Sequence, residues 1–449
     1  MIRPAFRTIA AALLACAAPV LGAAADTPAA ALSASQTALV AKARALGATD
    51  VAATPGPNGG LILGGKLEGD QFALAFPASW NHQGLLFAHG YSTPGTPVAV
   101  AEDPVAKGPG GGVFADAYGQ GYAVGHSAYD KAGLGVETGV KNTVRLRDFL
   151  TRLGTKRTYV MGDSMGGGIV VALLDLYPKS FAGGFARCGV VDSWQTLFGQ
   201  LIDMRLAYNF LTIGTPYALP GVQDARRSAL PTDPPSPAAA QGYLFGQIGK
   251  VATPILALWN AAQKNPNGRE ARIVSQVAAI GGFDRDAASI AFPLVTASLG
   301  ADDMAATAGG QVYGNIGKVY ASQTMTAEEA AALNAGVQRI AADPAALTYL
   351  THWHKATGRL RVPLVTLHNR IDSLVPFAQE QALANTVAQA KRTSNLIQYD
   401  VAPVRAPLPV GGVDGYTHCG FDKVQTLAGW NALRGWVETG KRPAADAVK

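Results

Sequence analysis

The chain has 449 residues, 48% of them apolar and 15% charged, with a formal net charge of +6. That composition buries a core and excludes a disordered or coiled-coil chain, while the length admits one large domain with an insertion, or two domains. The positive surplus is small and scattered, with no basic stripe interleaved with aromatics, so no nucleic-acid partner is expected.

The N-terminus reads as an export address. Met1 to Arg7 is short and positive, Thr8 to Leu21 is apolar, and Gly22-Ala23-Ala24-Ala25 supplies the small residues of a cleavage site. Residues 1–25 are expected to be a signal peptide. Their removal takes away Arg3 and Arg7 and leaves a charge of about +4. Leu13-Leu14-Ala15-Cys16 loosely resembles a lipoprotein box, so an anchor at Cys16 is the alternative to a periplasmic or secreted protein. No later run is long and apolar enough for stable membrane insertion. Cleavage leaves Cys188 and Cys419. In an oxidising compartment such a pair is expected to form a disulfide, with two free thiols as the alternative.

In chain order, Leu61 to Leu63 and Phe72 to Phe76 predict a hairpin turning at Glu68-Gly69-Asp70. Gly84 to Ala88 predicts a buried strand ending at His89-Gly90, and Tyr122 to Gly125 another. Thr138 to Leu153 has helical periodicity. A strand at Thr158 to Met161, a helix at Met165 to Leu176 and a short strand at Gly184 to Arg187 follow. From about Val190 to Thr357 the chain is Ala-rich and helical, with a Pro-rich interruption at Pro231 to Pro237. Strand and helix alternation resumes with a strand at Val362 to Leu367, a helix at Pro376 to Ala390, a strand at Leu396 to Val401 and a helix at Lys423 to Thr439. This pattern predicts a mostly parallel sheet flanked by helices. Residues 26–189 and 358–449 form its two parts, and residues 190–357 form a large, mainly helical lid or cap.

The strongest chemical signal is Gly162-Asp163-Ser164-Met165-Gly166-Gly167, a G-x-S-x-G motif between a strand and a helix. Such a serine sits on a tight, strained turn with its hydroxyl above the sheet. Gly162 and Gly166 are the positions where a side chain would clash. The Met165 N–H, at the start of the helix, is the natural first donor to an oxyanion. A second donor is expected at the end of an earlier strand, His89-Gly90-Tyr91. The Tyr91 backbone N–H is the candidate, with its hydroxyl as the alternative, and His89 is expected to fix this loop.

A serine nucleophile needs a base, and the base needs an orienting acid. Of seven histidines, His418 fits best, in the loop Gly411 to Gly420 before the last helix. His368 ends a strand, too early for the base. His352 and His354 read as pocket wall or surface rather than a metal pair, because no third ligand is near in sequence. Asp372 lies between a strand and a helix, where the acid belongs, with Asp400 and Asp414 as rivals.

Gly162 to Gly167, Asp372 with Leu374-Val375-Pro376, and Tyr416-Thr417-His418-Cys419-Gly420 together resemble bacterial secreted α/β-hydrolases of the serine esterase/peptidase-like superfamily. The resemblance covers Gly84 to Arg187 and Val362 to Thr439. It implies the α/β-hydrolase fold and acyl transfer to water through an acyl-enzyme. A Cys188–Cys419 bond would tie the histidine loop to the sheet. Feruloyl-esterase and tannase-type enzymes show a similar device, but there the partner cysteine immediately precedes the serine, where this chain has Asp163.

Aromatic residues of the insertion, such as Trp194, Phe198, Phe210, Tyr243, Phe245 and Trp259, are expected to divide between helix core and pocket wall. No cluster of Arg or Lys demands an anionic substrate. The expectation is therefore a hydrophobic or aromatic ester, small or polymeric. A peptidase or amidase, an acyltransferase and a catalytically dead binding protein are the alternatives. A peptidase would need a carboxylate to grip a free N-terminus, and Glu328-Glu329 is a weak candidate. No cofactor or metal motif is present in the sequence.

Overall fold

The computed structural model describes residues 31–96 and 99–449. The expected signal peptide, with Cys16, lies outside the described residues.

The chain begins with α1 (Ala34–Ala45), then β1 (Thr49–Gly56), β2 (Gly60–Leu67) and β3 (Asp70–Phe76) in an antiparallel ribbon. β4 (Gln83–Ala88), α2 (Pro104–Lys107), α3 (Val113–Gly119), β5 (Ala123–Ser127), α4 (Val136–Leu153), β6 (Arg157–Asp163), α5 (Met165–Leu176) and β7 (Gly184–Arg187) follow. Helices α6 (Trp194–Thr212), α7 (Ala240–Lys264), α8 (Arg269–Gly281), α9 (Ala287–Ala308), α10 (Ala327–Gly336) and α11 (Pro344–His354) then interrupt the sheet. It resumes with β8 (Leu364–Asn369), α12 (Ala378–Gln389) and β9 (Leu396–Val401). The strands β10 (Arg405–Pro407) and β11 (Asp414–Tyr416) pair with each other ahead of α13 (Lys423–Thr439).

Among the described residues, nine strands form one sheet in the order β1-β2-β3-β5-β4-β6-β7-β8-β9. Pairing is antiparallel from β1 to β5 and parallel from β5 to β9. The parallel strands are apolar on both faces because helices cover both. On β4, Leu85 and Phe87 join a core with Tyr159 and Met161 of β6 and Trp430 of α13, while Leu86 packs on the other face with Leu146 and Leu150 of α4. The chain thus has the expected α/β-hydrolase fold.

The sequence reading missed β1 and the pair β10–β11. β1 is an edge strand with no fully buried residue, so it carries no apolar alternation. β10 and β11 have only three residues each. Within the helical stretch, Trp194 and Phe198 are buried in the core, and Phe210 and Trp259 pack against it. Phe245 is 42% exposed on α7. No helix among the described residues is long and apolar enough to cross a membrane.

Candidate active site

β6 delivers the chain to Ser164, where the backbone takes φ 56° and ψ −119° before α5 begins at Met165. A non-glycine residue in this region is strained by about 1–3 kcal/mol, so its surroundings must hold it. The Ser164 N–H donates to the Arg187 carbonyl at 3.0 Å, and its own carbonyl accepts from Gly167 N–H at 3.0 Å. The glycines are sterically required. A Cβ on Gly162 would lie 2.5 Å from the Gly166 carbonyl oxygen, and one on Gly166 would lie 2.1 Å from that of Ala88.

Three loops at the carboxyl edge of the parallel strands meet here, as expected for such a sheet. Ser164 Oγ lies 2.8 Å from His418 Nε2. His418 Nδ1 lies 2.8 and 2.9 Å from the two carboxylate oxygens of Asp372. Asp372 is buried and also accepts from the N–H groups of Leu374, Val375 and Cys419 at 2.9, 2.9 and 3.0 Å. Burial works against its charge, but the adjacent His418 ring, the more distant His368 and the Val375 N–H outweigh it and hold the carboxyl at about 2. An ionised Asp372 only accepts, so the His418 proton sits on Nδ1 and the Nε2 lone pair faces the serine hydroxyl.

Met165 is the first residue of α5, so its N–H has no acceptor within the helix. The loop bearing Tyr91 lies against the serine. A Cβ on Gly90 would be 3.4 Å from the Asp163 carbonyl oxygen and 3.7 Å from Ser164 Cβ. The Tyr91 hydroxyl packs toward Gly300 of α9. His89 does fix this loop. Its N–H donates to the Tyr129 hydroxyl at 2.6 Å, and its Nε2 meets His126 Nδ1 at 2.9 Å. His126 Nε2 must donate to the Ala101 carbonyl, at 3.3 Å, so its Nδ1 accepts the His89 proton. Burial lowers both rings, His89 to about 3 and His126 to about 4.

Asp163, beside Ser164, forms a two-point ion pair with the buried Arg187 of β7, whose Nε lies 2.7 Å from Asp163 Oδ1. The Arg187 Nη1 donates to Thr426 Oγ1 of α13 at 2.8 Å. The adjacent Cys188 is disulfide-bonded to Cys419, joining the end of β7 to the residue after His418. Nothing local in the sequence marks Arg187, because its partner is 24 residues away.

The rival acids are otherwise engaged: Asp400 pairs with Arg370, and Asp414 with Arg405. His368 is fully buried beneath the Asp372 turn, and His352 is exposed on α11. Glu329 serves the capping box of α10 and pairs with Arg272, and Glu328 lies in the first turn of the same helix.

No family model and no curated protein matches the sequence. Among solved structures, the chain is similar to feruloyl esterase B from Aspergillus oryzae, with 15% identity over 86% of this chain and 81% of that one and a TM-score of 0.44. It is similar to Candida antarctica lipase A, with 12% identity over 89% and 84% and a TM-score of 0.42. The rice cell wall degrading esterase LipA from Xanthomonas oryzae shares 14% identity over 82% and 88%, with a TM-score of 0.38.

Proposed function

We propose that this chain is a serine hydrolase that cleaves carboxylic esters through an acyl-enzyme. The observation that supports the reading is the unbroken hydrogen-bonded line from Ser164 Oγ through both ring nitrogens of His418 to Asp372. Ser164 Oγ attacks the ester carbonyl as His418 Nε2 takes its proton. The oxyanion that forms is met by the backbone N–H groups of Met165 and Tyr91. Collapse of the intermediate expels the alcohol, which takes the proton back from His418. Water then loses a proton to the same nitrogen, attacks the acyl-serine, and releases the acid and free Ser164. Asp372 stays ionised throughout, fixing the Nδ1–H tautomer and stabilising the imidazolium.

The proposed substrate is a hydrophobic or aromatic ester, small or polymeric, with the helices between β7 and β8 as the cap over the site. We also propose export to the periplasm or the medium, a setting in which the Cys188–Cys419 bond persists.

The test is hydrolysis of p-nitrophenyl esters of increasing chain length by the protein and by Ser164→Ala. Turnover lost by at least about a thousandfold in the variant is expected. Absence of both turnover and fluorophosphonate labelling in the unaltered protein would sink the reading. Labelling without ester turnover would redirect it to amide substrates.

A further inference from the structure

Behind the acid lies a second pair of ionisable groups that the proposed mechanism does not use. His368, at the end of β8, is 0% exposed, and Glu380, in the first turn of α12, is 2% exposed. His368 Nε2 is 2.9 Å from the Val375 carbonyl oxygen, and Nδ1 is 3.3 Å from Glu380 Oε1. The first of these partners can only accept, and so can the second when ionised. The other Glu380 oxygen accepts from Thr366 Oγ1 at 2.6 Å and from the Gln398 amide. Two donors on that oxygen, together with the helix N-terminus, favour the ionised carboxylate. An imidazole with acceptors at both nitrogens must carry a proton on each.

The pair reaches the catalytic line through one residue. The Val375 carbonyl accepts from His368 while the Val375 N–H donates to Asp372 Oδ1. Val375 is therefore gripped on one side by the buried ring and serves the acid on the other. We infer that His368 and Glu380 form a buried imidazolium–carboxylate pair that positions the Asp372 turn and sets a fixed positive charge behind the acid. These are positioning residues, and the inference rests on the Ser164–His418–Asp372 reading above.

Other charged groups facing this ring are few. Asp372 and His418 come from the loops above it. Asp400 lies opposite His368 on β9 but pairs with Arg370 at the surface. Arg187 on β7 pairs with Asp163. Burial alone would discharge His368, but Glu380, Asp372 and the Val375 carbonyl raise its affinity for protons above that of an ordinary histidine.

The experiment uses the full chain labelled with 15N-histidine, with the His368 signals assigned by their loss in His368→Gln. The expected result is a His368 ring that is still doubly protonated at a pH where an ordinary histidine has lost its second proton. Glu380→Gln keeps a hydrogen-bonding group but removes the charge. In it the ring should lose one proton, kcat for a p-nitrophenyl ester should fall roughly tenfold with KM unchanged, and the low-pH limb of kcat/KM should move upward. Glu380→Asp, which keeps the charge, should recover part of the loss. A neutral or normally titrating His368 in the unaltered protein overturns the pair. Unchanged kcat and pH profile in a folded Glu380→Gln protein overturn the positioning role. If the unaltered protein is inert to esters and to fluorophosphonate, the proposed activity fails, and the protonation state of the ring still decides the pair.

Discussion

Asp286 Oδ1 accepts the backbone N–H of Tyr416 at 2.9 Å, two residues ahead of His418. The same oxygen accepts the Ala288 N–H at 3.0 Å as the N-cap of α9. The second oxygen pairs with Arg405 at 2.9 Å, and that guanidinium lies 4.5 Å from the centre of the Tyr416 ring. One buried carboxylate thus serves both the helical insertion and the loop that carries His418.

Asp286→Ala should therefore weaken the fold and the site together. It removes a helix cap, worth about 1 kcal/mol, and leaves the Tyr416 N–H without its acceptor, for about 1–3 kcal/mol more. Urea denaturation should show a loss of roughly 2–4 kcal/mol, with kcat falling more than KM rises. A variant that unfolds at the same urea concentration as the parent would remove Asp286 from this role.

Arg187→Met should be among the most destabilising single changes. It leaves Asp163 unpaired beside the strained serine turn, and breaking a buried pair in this way costs about 3–5 kcal/mol. Arg187→Lys should not rescue it, because an ammonium cannot match the two-point geometry or also reach Thr426. Asp163→Asn combined with Arg187→Met should recover part of the loss. Additive effects in that double-mutant cycle would contradict the pairing.

Reduction of Cys188–Cys419 opens a loop of 231 residues. The expected loss is about 2–5 kcal/mol, read as a lower urea midpoint with dithiothreitol or in the Cys188→Ala/Cys419→Ala chain. Activity should fall before global unfolding, because the bond holds the neighbour of His418. Alkylation of the denatured, unreduced protein at either cysteine would show that the bond is absent.

Acid should destabilise the protein starting well above the carboxylate range. His89 and His126 are neutral in the fold, lowered to about 3 and about 4, whereas an unfolded chain protonates them near 6.5. The unfolded state then binds more protons, so stability falls as pH drops from about 6.5 to about 4, by up to about 1.4 kcal/mol per unit for each ring. Asp372, held at about 2, adds its own loss only below about pH 4. Unfolding free energies from pH 8 to 4.5 test this. His126→Gln should flatten the upper part of the curve, and a parent curve flat from pH 7 to 5 would refute it.

Sequence reading reached the Ser164 turn because that chemistry is local: two glycines, an apolar strand and a helix all stand between Arg157 and Leu176. Asp372 and His418, which the structure brings to Ser164, were singled out from their loops, and a Cys188–Cys419 pair from a count of two remaining cysteines. Asp286, Arg187 and the His368–Glu380 pair were not. Asp286 meets Tyr416 across 130 residues, and nothing in its neighbourhood distinguishes it from an ordinary helix cap.

By itself, then, the sequence determined the alternation of strands and helices, the buried faces and the strained serine turn, because apolar periodicity and glycine sterics act over a few residues. Only the tertiary structure decided which carboxylate serves which partner. A buried charge is tolerated only where donors converge on it, and here they converge from strands, helices and loops far apart in the chain.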